Sequence, residues 1–257
     1  MGCWMGGGAA ALPLTSLLSR QTSLPTLARL PRLTLAGHTH LVSLHCRPGE
    51  VMFVDDQDRR AYAVALLESS RPLSIAVHAY ALLDGQVLLL ASEPAPGALG
   101  RFMQAVARRY VRPFNRRHGR AGALWQGRFR SAVIDPASFL LDCMQLIEQS
   151  PVRAGLVEQP ADWPWSSAAH HAGRKGDSIV TEHEAYWDLG NTPFERQARY
   201  ARISATPLAE ARVGEWLAAA HHGWPLGPPA FVAALAGQAE RPVARRPRGR
   251  PRSTKLG

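Results

Sequence analysis

The chain has 257 residues, 46% of them hydrophobic, with 30 Lys and Arg against 20 Asp and Glu and a net charge of +10. That apolar fraction supports the packed core of one ordinary domain with extensions and excludes a chain disordered throughout. Cys3, Cys46 and Cys143 lie far apart without CxxC spacing, which excludes a disulfide framework or structural zinc site and fits a reducing cytoplasm, and no apolar run reaches the roughly 20 residues that span a bilayer.

Residues 1–27 read as a disordered extension or a start placed too early. A signal peptide is the alternative, but the apolar residues 9–18 have no basic segment before them. A strand is expected over residues 40–45. His38 and His40 just there have HxH spacing, yet read as strand residues rather than a metal pair. Residues 55–69 carry Ala61, Ala65 and Leu66 at helical spacing behind an acidic first turn, which predicts an amphipathic helix. Two apolar runs, residues 73–83 and 86–91, flank Asp84-Gly85. That dipeptide predicts a hairpin with a type I′ turn, whose two central residues both need positive φ. Residues 99–110 predict a second helix with Phe102, Val106 and Tyr110 on one side, and Pro113 is expected to kink or end it. Residues 127–134 read as a strand. Residues 136–149 read as a helix capped by Asp135 with proline at its first position. The order strand, helix, strand, strand, helix, strand, helix predicts an α+β fold with helices packed on an antiparallel sheet. Residues 173–191 are a loop-rich connection. Residues 192–236 form a small helical region with patterns over 195–203, 208–220 and 229–236, and residues 237–257 form a basic tail.

The positive charge is confined to two blocks. Residues 94–134 hold nine arginines (Arg101, Arg108, Arg109, Arg112, Arg116, Arg117, Arg120, Arg128 and Arg130) and no acid, and residues 241–257 hold seven more basic residues, again without an acid. Removing these sixteen leaves fourteen basic residues against twenty acids, so the remainder is net negative. Codon usage can favour arginine over lysine but does not exclude acids, so the blocks point to a polyanion such as nucleic acid. Trp125, flanked by Arg120, Arg128 and Arg130, is the best placed of three tryptophans to stack on a base, while Trp163 and Trp165 read as residues that pin loops to a core. In the tail, RRPRGRPR with the core Arg248-Gly249-Arg250-Pro251 resembles an AT-hook, whose arginines enter a narrow minor groove.

Three stretches carry a family resemblance. Residues 109–131 read RYVRPFNRRHGRAGALWQGRFRS, residues 146–157 read LIEQSPVRAGLV, and residues 162–167 read DWPWSS. Together they resemble the IS200-like and REP-associated single-tyrosine HUH transposases over residues 28–172. Residues 192–200, TPFERQARY, and the basic tail resemble the longer members. The resemblance implies a ferredoxin-like HUH-type sheet with packed helices over residues 28–172, followed by a C-terminal helical appendage. In an intact member, two histidines and an amide hold Mg²⁺ or Mn²⁺ at the scissile phosphate, and a tyrosine forms a 5′-phosphotyrosine link while freeing a 3′-OH.

The positions matching that chemistry hold other residues. Gln86 and Leu88 stand at the histidine positions, Leu146 at the tyrosine, and Ser150 at the amide one turn later. The 60-residue interval from Gln86 to Leu146 suits the family. No catalytic residue, metal or cofactor is therefore expected. Cys143, one turn before Leu146, reads as core. The leading reading is a cleavage-deficient protein that binds hairpin or single-stranded DNA through the arginine block, with Arg153 a further contact, as a homodimer of the cytoplasm. The tail would add AT-rich duplex. Two readings stand beside it: an active enzyme with displaced ligands and a displaced nucleophile such as Tyr110 or Tyr80, and a decaying mobile-element product without a selected role.

Overall fold

The computed structural model describes residues 31–244; the expectations for residues 1–27, for Cys3 and for the AT-hook arginines Arg248 and Arg250 lie outside them. The chain runs β1 (Thr39–His45), α1 (Asp56–Ser70), β2 (Ala76–Leu83), β3 (Gln86–Ser92), α2 (Ala98–Arg117), β4 (Arg130–Ile134) and α3 (Pro136–Glu148). The strands form an antiparallel sheet in the order β2-β3-β1-β4. This is the ferredoxin-like βαββαβ arrangement, in which each helical crossover skips one strand position.

Alternation along the strands gives the sheet two apolar faces. Val42, Leu44, Val87, Leu89 and Ala91 face α1 and α2. Leu41, Leu88, Leu90, Ala132 and Ile134 face α3 on the other side. Several local expectations need correction. Ala61 is exposed, and Tyr62 takes the buried position beside Ala65 and Leu66. The run expected from residue 73 enters the sheet only at Ala76, because Arg71–Leu73 forms a 3-10 turn around Pro72. The β2–β3 hairpin forms at Asp84-Gly85, but neither residue has positive φ, so the turn is not type I′. Tertiary bonds set it instead: the carbonyls of Asp84 and Gly85 accept from the backbone N–H groups of Met52 and Cys46. Helix α2 continues through Pro113 to Arg117. Proline removes one intrahelical donor, yet Tyr110 and Phe114 on either side are buried against α1, and that packing carries the helix onward.

After α3 come the short helices α4 (Ser150–Arg153), α5 (Ala168–His171) and α6 (Glu184–Trp187), then α7 (Pro193–Ala205), α8 (Glu210–His222) and α9 (Pro229–Gln238). The helices of residues 192–236 pack into the body of the fold. Val213, Trp216 and Ala220 of α8 and Tyr200 of α7 share the buried cluster of α3 and the sheet. The segment at Leu226 bridges Ile134 of β4. Among the described residues no helix is long and apolar enough to cross a membrane.

One buried carboxylate joins these parts. Glu148, at the end of α3, is fully buried; Oε1 accepts from the Ser167 hydroxyl (2.5 Å) and His171 Nδ1 (2.6 Å), and Oε2 accepts from the Tyr200 hydroxyl (2.8 Å). A carboxylate out of water is tolerated only when donors surround it. Glu148→Ala should cost about 3–5 kcal/mol in urea unfolding, because it leaves three buried donors without an acceptor, and Glu148→Gln should cost less.

A second buried chain of hydrogen bonds runs through β2. His78 is the extra residue of a bulge between Val77 and Ala79. Its Nδ1–H donates to the Thr181 carbonyl (2.7 Å), and its Nε2 accepts from Ser92 Oγ (2.8 Å), itself 2.7 Å from Thr39 Oγ1. The acceptor role of Nε2 needs the neutral ring, and burial pushes the imidazole pKa down to about 4 from the ordinary 6.5, against the opposing pull of the Thr181 carbonyl. The unfolded chain therefore binds the extra proton in that interval. The resulting stability is complete above pH 6.5 and is lost as pH falls toward 4, at about 1.4 kcal/mol per pH unit for one proton. Unfolding followed against pH should show that slope, and His78→Gln should reduce it while lowering stability at neutral pH.

Candidate nucleic-acid interface

The face on which the resemblance places catalysis is hydrocarbon. Leu88 and Leu146 belong to the same buried cluster between sheet and α3, at 1% and 0% exposure. Gln86 is half-buried at the start of β3, opposite Leu83 and His45. Ser150 is buried, and its hydroxyl donates to the Ile147 carbonyl at 2.6 Å. Leucine offers no lone pair to a cation, and a hydroxyl committed to a carbonyl beside one neutral amide is a poor donor set for a hard divalent ion. These residues do not fit Mg²⁺ or Mn²⁺. His38 and His40 do not converge either: His40 lies 3.3 Å from Glu93, both buried, while His38 is held by the Ala36 carbonyl.

The alternative nucleophiles lie elsewhere and are occupied. The Tyr110 and Tyr80 side chains belong to the cluster on the α1/α2 face, opposite Leu146. The Tyr110 hydroxyl donates to the Met52 carbonyl and that of Tyr80 to Asp177 (2.6 Å), and burial raises the pKa of both. Cys143 is fully buried, and desolvation holds its thiol well above the ordinary range.

The arginine block divides into two sets. Arg117 pairs with Asp55 and Asp58 at the start of α1, and its hydrogen bonds hold the Asp55 carboxyl well below the usual carboxylate range. Asp58, itself buried, also accepts from His118 (2.9 Å) and the Val54 N–H (2.9 Å). Arg109 pairs with Glu68 and Arg120 with Glu50. Arg153 donates to the Leu146 carbonyl at the end of α3. Arg117, Arg120 and Arg153 thus brace the fold, while the Arg109–Glu68 pair lies in the open, where such a pair adds little. Arg101, Arg108, Arg112, Arg116, Arg128 and Arg130 have no ion pair with the described residues, and all but Arg130 are exposed.

Helical geometry gathers part of that free set. Arg108, Arg112 and Arg116 are spaced by four, so they share one face of α2 and span about 12 Å along it. With Asn115 and Arg120 they line an open groove of about 620 Å³ containing no acid. The tryptophans divide as well. Trp163 donates to the Leu82 carbonyl and Trp165 to Asp56, so both pin the loop after α4 to the body. Trp125 is half-buried, stacked on Tyr110 at 6.2 Å with one flank toward a cleft beside α2. The Glu148 cluster was not foreseen, although Glu148, Ser167 and Tyr200 each lie in one of the sequence stretches that carry the resemblance.

The division of arginines is open to measurement. Arg117→Ala should lower the urea midpoint of unfolding, since it strips a partner from the buried Asp58 carboxylate, whereas Arg112→Ala should leave stability within about 0.5 kcal/mol of the native chain. No protein-family model and no curated protein matches the chain. Among solved structures it is similar to a REP-associated tyrosine transposase bound to a REP hairpin, at 19% identity over 62% of this chain and 96% of that one, with a TM-score of 0.50. At that identity the likeness establishes a common fold.

Proposed function

We propose that the protein binds DNA containing a hairpin or single-stranded element through the α2 face of Arg108, Arg112 and Arg116, and does not cleave it by the tyrosine route. The observation that carries this reading is the acid-free stripe of exposed arginines, which has no role in holding the fold. Side chains of that length and charge, left without partners, form a surface whose natural counterpart is a phosphate backbone. The shared fold supports the choice of DNA form, because the similar structure holds a REP hairpin. Absence of cleavage rests on Leu88 and Leu146, which lack donor and nucleophile and are packed as core. The displaced-nucleophile reading is weakened by the engagement of Tyr110 and Tyr80. Arg128 and Arg130 extend the surface, a homodimer would double it, and Arg248 and Arg250 of the tail would add contacts to AT-rich duplex.

Titrating a labelled DNA hairpin by fluorescence anisotropy across salt tests the reading. Affinity should fall steeply between about 50 and 200 mM salt, and the Arg108/Arg112/Arg116→Ala triple variant should bind more weakly, with a log–log salt slope shallower by about 2–3. The same hairpin incubated with Mg²⁺ or Mn²⁺ should give no covalent adduct on a denaturing gel. Salt-independent binding, or an adduct, would overturn the corresponding half of the proposal.

A further inference from the structure

On the flank of α2 beside the arginine groove lies a second cavity, of about 190 Å³. Trp125, Phe129, Met103, Val106, Gln104 and Arg128 are among the residues that line it. Ala107 lines both this cavity and the arginine groove, so the two adjoin at one helical residue. The loop that supplies Trp125 and Phe129 is fixed from several sides. Trp125 stacks on Tyr110, the Gln126 N–H donates to the His45 carbonyl, and Arg32 lies 3.6 Å from the Phe129 ring centroid while donating to the Phe129 carbonyl. Gly127, at φ 84°, gives the loop the left-handed residue that its turn requires.

We propose that this cavity takes one unstacked nucleobase from a single-stranded stretch of DNA whose phosphates run along Arg108, Arg112 and Arg116. The proposal rests on the DNA reading above and adds a base-binding subsite to it. The chemistry is complementary at each level. A planar aromatic heterocycle suits a cavity that an indole and a phenyl ring help to line, and stacking on aromatics tolerates any base. Gln104 offers both a donor and an acceptor to a base edge, and Arg128 offers donors alone. Both are exposed, and neither has a partner in the described fold. The groove beyond Ala107 supplies the positive charge that a lone apolar cleft would lack. A paired base could not enter, since its edges are committed and its faces stacked, so the site selects a loop, flank or bulge over the stem.

Gly100 provides a clean test. It lines the cavity from the first turn of α2, and a Cβ there meets no atom within 4 Å. Gly100→Leu should therefore fold, with better helix propensity than glycine, while filling the cleft. Three probes are compared by anisotropy: a blunt hairpin, the hairpin with a short single-stranded extension, and the same extension built from abasic sites, which keeps phosphates and removes bases. The native protein should bind the base-bearing extension about tenfold more tightly than the abasic one. Gly100→Leu should abolish that difference, keep its affinity for the blunt hairpin, and unfold as cooperatively as the native chain. Equal binding of base-bearing and abasic probes, with hairpin binding intact, would overturn the subsite while leaving the DNA reading in place. Failure to bind any probe would overturn both. Sedimentation decides the remaining occupant: a dimer abolished by Gly100→Leu, without any base dependence, would assign the cavity to a second copy of the chain and reject the nucleobase.

Discussion

The Glu148 carboxylate is the interaction on which the arrangement of the helices depends. It lies at the end of α3, and its donors come from Ser167 before α5, from His171 within α5 and from Tyr200 in α7. Three donors converging on its two oxygens are what lets a fully buried carboxylate stand there out of water. One side chain thereby fixes the docking of two later helices against the underside of the sheet. The three sequence stretches that carry the family resemblance at this end of the chain meet at its two oxygens. Each of those stretches thus has a structural role in this fold.

The same logic divides the arginines. A block without acids looks uniform along the chain, but the acids that neutralise part of it come from α1, whose first turn carries Asp55, Asp56 and Asp58. Arg117 and His118 close on Asp58, and Asn115 closes the following loop through the Gly122 carbonyl. Much of residues 109–131 is thus a brace between α2, its loop and the start of α1. The groove side of α2 is what remains for a partner. The two roles are separated by neighbours rather than by helical phase alone: Arg109 shares a face with Arg112 and Arg116 but reaches Glu68 of α1, and Arg117, about a quarter-turn further round, reaches Asp55 and Asp58.

What could be read in advance follows the range of the forces involved. The order of strands and helices was legible because it depends on local periodicity, and Asp84-Gly85 marked the hairpin. The turn type was not, since hydrogen bonds from Cys46 and Met52, far back in sequence, determine it. Tyr62 displaced Ala61 because only the assembled aromatic cluster of Phe53, Tyr62 and Tyr110 selects the side of α1 that is buried. The replacements at Leu88 and Leu146 were visible one by one, but that both side chains enter one core required the fold. The pairing of Arg117 with Asp55 spans 62 residues, beyond the reach of any local pattern. The stripe of Arg108, Arg112 and Arg116, in contrast, is a simple interval of four legible in the sequence, although Arg109 shares its face and is set apart only by Glu68 of α1.

The packing of Leu88 against the helix that carries Leu146 has a consequence for the direction of change. A tyrosine introduced at position 146 would bring a larger ring and a hydroxyl into space already filled at interior density, with no acceptor provided for it. Histidine at position 88 would likewise bury a polar ring in the same hydrocarbon. Each single step toward a nucleophile or a metal ligand is opposed by the stability of the fold, and two or three such steps would have to coincide before any chemistry compensated. The sheet face thus favours the leucines it holds over either polar replacement.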